Sequence, residues 1–132
     1  MRSFRLRQPV IVDDNKDLRN FLKCSFENQY YILEAGNGNE AWELLQKEFP
    51  ELIISDVMMP DMSGFEVSQQ LKANPETAEI PIIFLTALNS TADIVKGFQV
   101  GGNDFISKPF NKEELIIRVT HQISLIAAKR II

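Results

Sequence analysis

The sequence predicts a parallel α/β fold, a five-stranded sheet with helices on both faces, and three observations predict it. Five short runs rich in β-branched residues alternate with five helical stretches along 132 residues. Those runs are apolar at consecutive positions, as strands buried on both faces must be. Every connection is short, so each strand–helix–strand unit returns to the same sheet by a right-handed crossover. All strand C-termini then point to one edge, which is where open parallel sheets place their ligands.

Val10-Ile11-Val12 is the first strand, with Pro9 tolerable at its first residue. Asp13-Asp14-Asn15 offers a helix cap to a run with Leu18, Phe21, Leu22, Ser25 and Phe26 on one side. Cys24 lies in that run and is expected to pack. Tyr30-Tyr31-Ile32-Leu33-Glu34 is the second strand, and Gly36 to Asn39 turns the chain. Ala41, Leu44 and Leu45 mark the next helical face. The third strand, Leu52 to Ser55, delivers Asp56 to a reversal that ends at Gly64. Phe65, Val67, Leu71 and Lys72 follow on a helix closed by Asn74-Pro75. Pro81 to Leu85 is the fourth strand, with Thr86 directly after it. Ile94, Val95 and Phe98 mark the fourth helical face, stopped by Gly101-Gly102. Asp104 to Ser107 is the fifth strand, followed by Lys108-Pro109-Phe110. Asn111 caps a last helix carrying Leu115, Ile116, Val119, Ile123 and Ile126 near a period of 3.6.

The bulk numbers narrow the function. A chain of this length with 45% hydrophobic residues makes one domain with an ordinary core. Its formal net charge of −4 argues against direct binding to nucleic acid or to an anionic membrane. No stretch is apolar enough to span a bilayer and no signal peptide is evident, so the expected location is cytoplasmic. A single cysteine excludes an intrachain disulfide. The expected organisation is a tail or linker over 1–8, bearing Arg2, Arg5 and Arg7, a domain over 9–129 and a tail over 130–132. His121 reads as an ordinary helix residue and Trp42 as packing or partly exposed.

The topology brings Asp13, Asp14, Asp56, Thr86 and Lys108 to one edge, although they lie far apart in sequence. Each alone has a bland reading: a turn former, a helix cap, a strand-end hydroxyl, a solvated loop lysine. Together they describe a phosphoryl acceptor. Three neighbouring carboxylates repel one another, and a hard dication with oxygen ligands relieves the repulsion; magnesium fits best. Asp56 is a carboxylate nucleophile. Lys108 and the dication neutralise the transferring phosphoryl group, and the Thr86 hydroxyl can donate to the phosphate once attached.

On these residues the chain resembles the receiver domain of two-component response regulators, from about Pro9 to Lys129. The matching segments are Val10-Ile11-Val12-Asp13-Asp14-Asn15, Ile53-Ile54-Ser55-Asp56-Val57-Met58-Met59-Pro60, Phe84-Leu85-Thr86-Ala87 and Asp104-Phe105-Ile106-Ser107-Lys108-Pro109-Phe110. The resemblance implies a flavodoxin-like three-layer sandwich with strand order 2-1-3-4-5, the order the chemotaxis receiver exemplifies. It implies that Asp56 takes a phosphoryl group from the phosphohistidine of a histidine kinase or phosphotransfer protein. Asp14, Asp56 and the Met58 carbonyl would bind magnesium directly and Asp13 through water, while Thr86 and Phe105 would form the switch pair. A receiver of this kind is a signalling domain that assists its own phosphorylation and dephosphorylation, rather than an enzyme. It would be a stand-alone receiver or, the preferred reading, a piece of a larger response regulator or hybrid histidine kinase; pairing with a second receiver is open.

Two departures from the common pattern carry expectations. Phe105 stands where many members have tyrosine, so no phenolic hydroxyl takes part. Val57-Met58-Met59 is apolar where some members carry an amide or charge, and with Leu88 it predicts slow loss of the phosphate. The Lys108–Pro109 peptide is expected to be cis, since a tight reversal would turn Lys108 back toward Asp56, and the resemblance implies the same. The output face is expected on the fourth helix, fifth strand and last helix, around Lys96, Gln99, Asp104 and Arg118. Rival readings are an aspartyl phosphatase or phosphotransferase, a flavin-binding domain and a receiver-like binding module that is never phosphorylated. The first lacks a second acid close to Asp56, and in the second Asp13-Asp14 would repel the flavin phosphate.

Overall fold

A computed structural model describes residues 8–28 and 30–131. Arg2, Arg5 and Arg7, with residues 1–7 of the expected tail over 1–8, lie outside the described residues; Gln8 is described, and its carbonyl accepts the Glu51 N–H (3.3 Å). The element order is β1 (Pro9–Val12), α1 (Lys16–Phe26), β2 (Leu33–Ala35), α2 (Gly38–Lys47), β3 (Leu52–Ser55), α3 (Gly64–Ala73), β4 (Ile82–Thr86), α4 (Thr91–Gln99), β5 (Asp104–Ser107) and α5 (Lys112–Ile131). All strand pairs are parallel, in the order β2-β1-β3-β4-β5. The flavodoxin-like order implied by the resemblance is therefore the observed one.

Alternate side chains of the central strands enter two separate cores, which is why β1, β3 and β4 run apolar at consecutive positions. Val10, Val12, Ile53, Ile82 and Phe84 face α2 and α3 residues such as Ala41, Leu45, Val67 and Leu71. Ile11, Leu52, Ile54, Ile83, Leu85 and Ile106 face Leu22 and Phe26 of α1 and Leu115, Val119 and Ile123 of α5. The helices begin on polar caps: Asn15, Asn37, Ser63 and Ser90 each accept an N–H of the first turn, the two serines within capping boxes.

Four expectations need correction. β2 starts at Leu33, because the Tyr30 N–H donates to the Phe26 carbonyl (3.0 Å) and its ring packs on Phe26, which keeps the two tyrosines in the helix-to-strand connection. β4 is shifted by one residue and includes Thr86: Pro81 has no N–H to add, and only its carbonyl joins, accepting from Ile53. Cys24 is exposed, since it sits two residues (about 200°) around α1 from the buried Leu22. On α4, Val95 and Phe98 are exposed at 47% and 49%, and it is Gly97 that faces the sheet. Trp42 is half-buried against the first core, and His121 is exposed on α5.

Candidate functional site

Four strand ends build the site. Asp13 and Asp14 follow β1, Asp56 follows β3, Thr86 is the last residue of β4 and Lys108 follows β5. Backbone bonds fix each segment: Asp13 N–H donates to Ala35, Asp56 N–H to Val12 and Lys108 N–H to Thr86 (3.1, 2.9 and 2.7 Å). The Lys108–Pro109 peptide is cis, as expected. The loop after Asp56 folds so tightly that a side chain at Gly64 would collide with the Asp56 carbonyl, which explains a residue without a Cβ there.

Lys108 Nζ lies between two carboxylates, 2.8 Å from Asp13 Oδ2 and 3.2 Å from Asp56 Oδ2. The other Asp13 oxygen accepts the Asn15 N–H, and the other Asp56 oxygen accepts the Met58 N–H (2.9 and 3.1 Å). Asp13 and Asp56 are buried, whereas Asp14 is exposed. Burial raises the pKa of Asp13 above its ordinary value, and the hydrogen bond from Lys108 offsets this only in part. For Lys108, burial acts to lower the pKa, but the bond to Asp13 and the charges of Asp13 and Asp56 together raise it. One carboxylate oxygen from each of Asp13, Asp14 and Asp56 lies within 4.8 Å of the others. That donor set, all hard oxygen, fits a hard dication that keeps several waters.

Three contributors escaped the sequence reading. Arg19 on α1 donates to the Asp13 carbonyl (2.6 Å) and to Glu34 (3.2 Å), tying the β1–α1 connection to β2. Asp61 accepts the Gly38 and Asn39 N–H groups at the start of α2 (3.1 and 2.8 Å), which engages the acid nearest to Asp56 in the following loop. Gly97 lies under the Phe105 ring. A helix N-terminus needing an acceptor was the available signal for Asp61; Arg19 and Gly97 gave none. Thr86 is fully buried, its Oγ1 accepting from the Leu88 N–H (3.4 Å). Phe105 is half-buried on β5, with its ring 6.2 Å from that of Phe84. Met58 is 57% exposed and Leu88 half-buried.

The response regulator receiver domain model matches residues 10–120. The chain belongs to that family. Receiver domains bind magnesium at an acidic cluster of the kind formed by Asp13, Asp14 and Asp56. Among curated relatives, the chain is 43% identical over 110 residues to Histidine kinase P4 of Formosa agariphila, covering 83% of this chain and 8% of that protein. It is 37% identical over 108 residues to Response regulator Rre1 of Synechocystis, covering 80% of this chain and 47% of that protein. The chain thus spans less than half the length of these relatives. Among solved structures, a response regulator described as putative from Chloroflexus aurantiacus superposes with a TM-score of 0.84 at 30% identity, covering 91% of this chain and 99% of that one. Receiver domains act as phosphoacceptors in two-component signalling. Among the described residues, no helix is long and apolar enough to cross a membrane.

Proposed function

We propose that this receiver accepts a phosphoryl group on Asp56 from the phosphohistidine of a histidine kinase or phosphotransfer protein, and that the modification switches its α4–β5–α5 face. The observation that supports this most is the Lys108 ammonium bridging Asp13 and Asp56 at the ends of three different strands. A half-buried lysine so placed serves a group that must take on negative oxygens. In the transfer, one Asp56 oxygen forms the P–O bond as the donor P–N bond breaks, and the departing imidazole keeps the electron pair. Lys108 holds the Asp56 carboxylate and neutralises charge on the incoming group. Thr86 donates its hydroxyl to the attached phosphoryl oxygens, and Phe105 repacks in response.

Asp14, Asp56 and the Met58 carbonyl would hold magnesium, with Asp13 assisting. Bound there, the ion would supply positive charge against the phosphoryl oxygens. The unit over 9–129 acts as one module of a larger response regulator or hybrid kinase, with its partners at the α4–β5–α5 face. Lys96, Gln99, Asp104 and Arg118 lie there, and Arg118 is bonded to Asp104 at 2.6 Å. Phosphoramidate, which carries the same P–N bond as phosphohistidine, tests the reading. With magnesium the protein gains one phosphate, and with EDTA it gains none. Incorporation that ignores magnesium would contradict the mechanism.

A further inference from the structure

The α4 helix meets the sheet through a residue that has no side chain. A Cβ built on Gly97 would lie 2.7 Å from Phe105 Cδ2 and 3.0 Å from Cε2, closer than carbon atoms approach without something moving. The helical backbone at Gly97 is ordinary, since the one glycine with positive φ is Gly101. Conformational freedom therefore gives no reason for glycine at 97, and glycine lowers helix stability. Space for the ring is the remaining reason. The ring continues a row of aromatics: Phe65 meets Phe84 edge-on at 5.2 Å, and Phe84 meets Phe105 at 6.2 Å. In the same conformer the Thr86 hydroxyl oxygen accepts from the Leu88 N–H of its own loop.

We infer that Gly97 is a positioning residue for the switch: its bare backbone is the seat that holds the Phe105 ring against α4 while Thr86 is engaged by its own loop. This rests on the switch role proposed for Thr86 and Phe105. When Thr86 turns to the phosphoryl group, the ring leaves the seat and α4 loses its contact with β5 at that point. Ring position and helix position change together. A methyl group at 97 displaces the ring and destabilises the observed conformer, so the alternative becomes more populated without any phosphate.

The test uses beryllofluoride with magnesium as the phosphoryl mimic, read by NMR on the whole chain. In Gly97→Ala, the free-state signals of Phe105 and α4 move part of the way toward those of the bound wild type. The apparent dissociation constant for beryllofluoride falls about threefold, the change for a competent fraction rising from about a tenth to about a third. Alanine also strengthens a helix by itself, so the pair Phe105→Ala and Gly97→Ala/Phe105→Ala serves as control. With the ring gone, the methyl group changes nothing in affinity. Free-state signals identical to wild type, or a gain that persists without the ring, overturn the seat. Should Gly97→Ala not fold, Phe105→Ala decides alone: its α4 amides stop responding to beryllofluoride, and an undiminished response overturns the inference. A wild type whose Phe105 and α4 signals ignore the mimic fails at the earlier step and takes the switch role down with the seat. A responding wild type with an indifferent Gly97→Ala removes only the seat.

Discussion

Replacing Lys108 by methionine keeps most of the length of the side chain and removes its charge from between Asp13 and Asp56. The contacts at 2.8 and 3.2 Å correspond to about 5–6 kcal/mol each of gross attraction at an effective dielectric of about 20. Most of that is offset by the cost of burying the three groups. Breaking a buried pair by removing one partner costs about 3–5 kcal/mol. Lys108 is 24% exposed, so water softens the loss; we expect about 2–3 kcal/mol at pH 7.5 without magnesium. For a domain of this size that is roughly 6–12 °C in melting temperature. The sign of the pH dependence follows from the shifts. The raised Lys108 pKa means its contribution is intact at every pH below its ordinary value of 10.5. What varies below neutrality is therefore Asp13. Asp13 already titrates above its ordinary 3.8 through burial, and more so without Lys108. As the pH falls toward 4 the variant therefore neutralises Asp13 more readily than the wild type does, and the deficit narrows. Calorimetry at both pH values, with EDTA and then with magnesium, reads this. Magnesium restores part of the loss at pH 7.5, because it replaces the missing positive charge. An equal deficit at both pH values, untouched by magnesium, would show that Lys108 matters only for packing.

Asp61→Asn weakens the start of α2. The Asn39 N–H is the largest cause holding Asp61 below its ordinary pKa, with the Met62 and Gly38 N–H groups adding to it. A lowered carboxyl pKa contributes stability above the ordinary value that is lost as pH falls through the folded one. Urea denaturation should therefore show the gap between wild type and Asp61→Asn closing on acidification; a gap independent of pH contradicts this. Met58→Asn with Leu88→Glu should speed dephosphorylation several-fold, since neither native side chain orients an in-line water and Met58 is the more exposed of the two. Equal decay of the two phosphorylated proteins in magnesium ends that idea. Arg19→Gln should weaken magnesium binding by a factor of a few, about 1 kcal/mol for one hydrogen bond to the Asp13 carbonyl. Titration calorimetry showing unchanged affinity would remove Arg19 from the site.

How far the sequence could be read follows from the kind of force that acts at each place. The layer order and the site edge were legible because consecutive apolar runs admit few structures, and right-handed crossovers place strand ends without reference to side-chain contacts. Asp13, Asp14, Asp56 and Lys108 came together as expected for that reason. Boundaries were less legible: β2 loses Tyr30 and Tyr31 to a helix-end hydrogen bond and a contact with Phe26, neither of which periodicity records. The α4 face was not legible because its apolar residues are not its buried side. Val95 and Phe98 face out, and a glycine faces in to receive a ring from β5. Asp61 and Arg19 act on backbone groups 22 and 6 residues away, and only the fold makes those separations short.

The most direct test is the site of modification. Incubation with acetyl phosphate and magnesium, followed by mass spectrometry of peptides, should locate one phosphate, base-labile and acid-stable, on Asp56, and Asp56→Asn should carry none. Phosphate that persists in Asp56→Asn, or that maps to His121, would contradict the account.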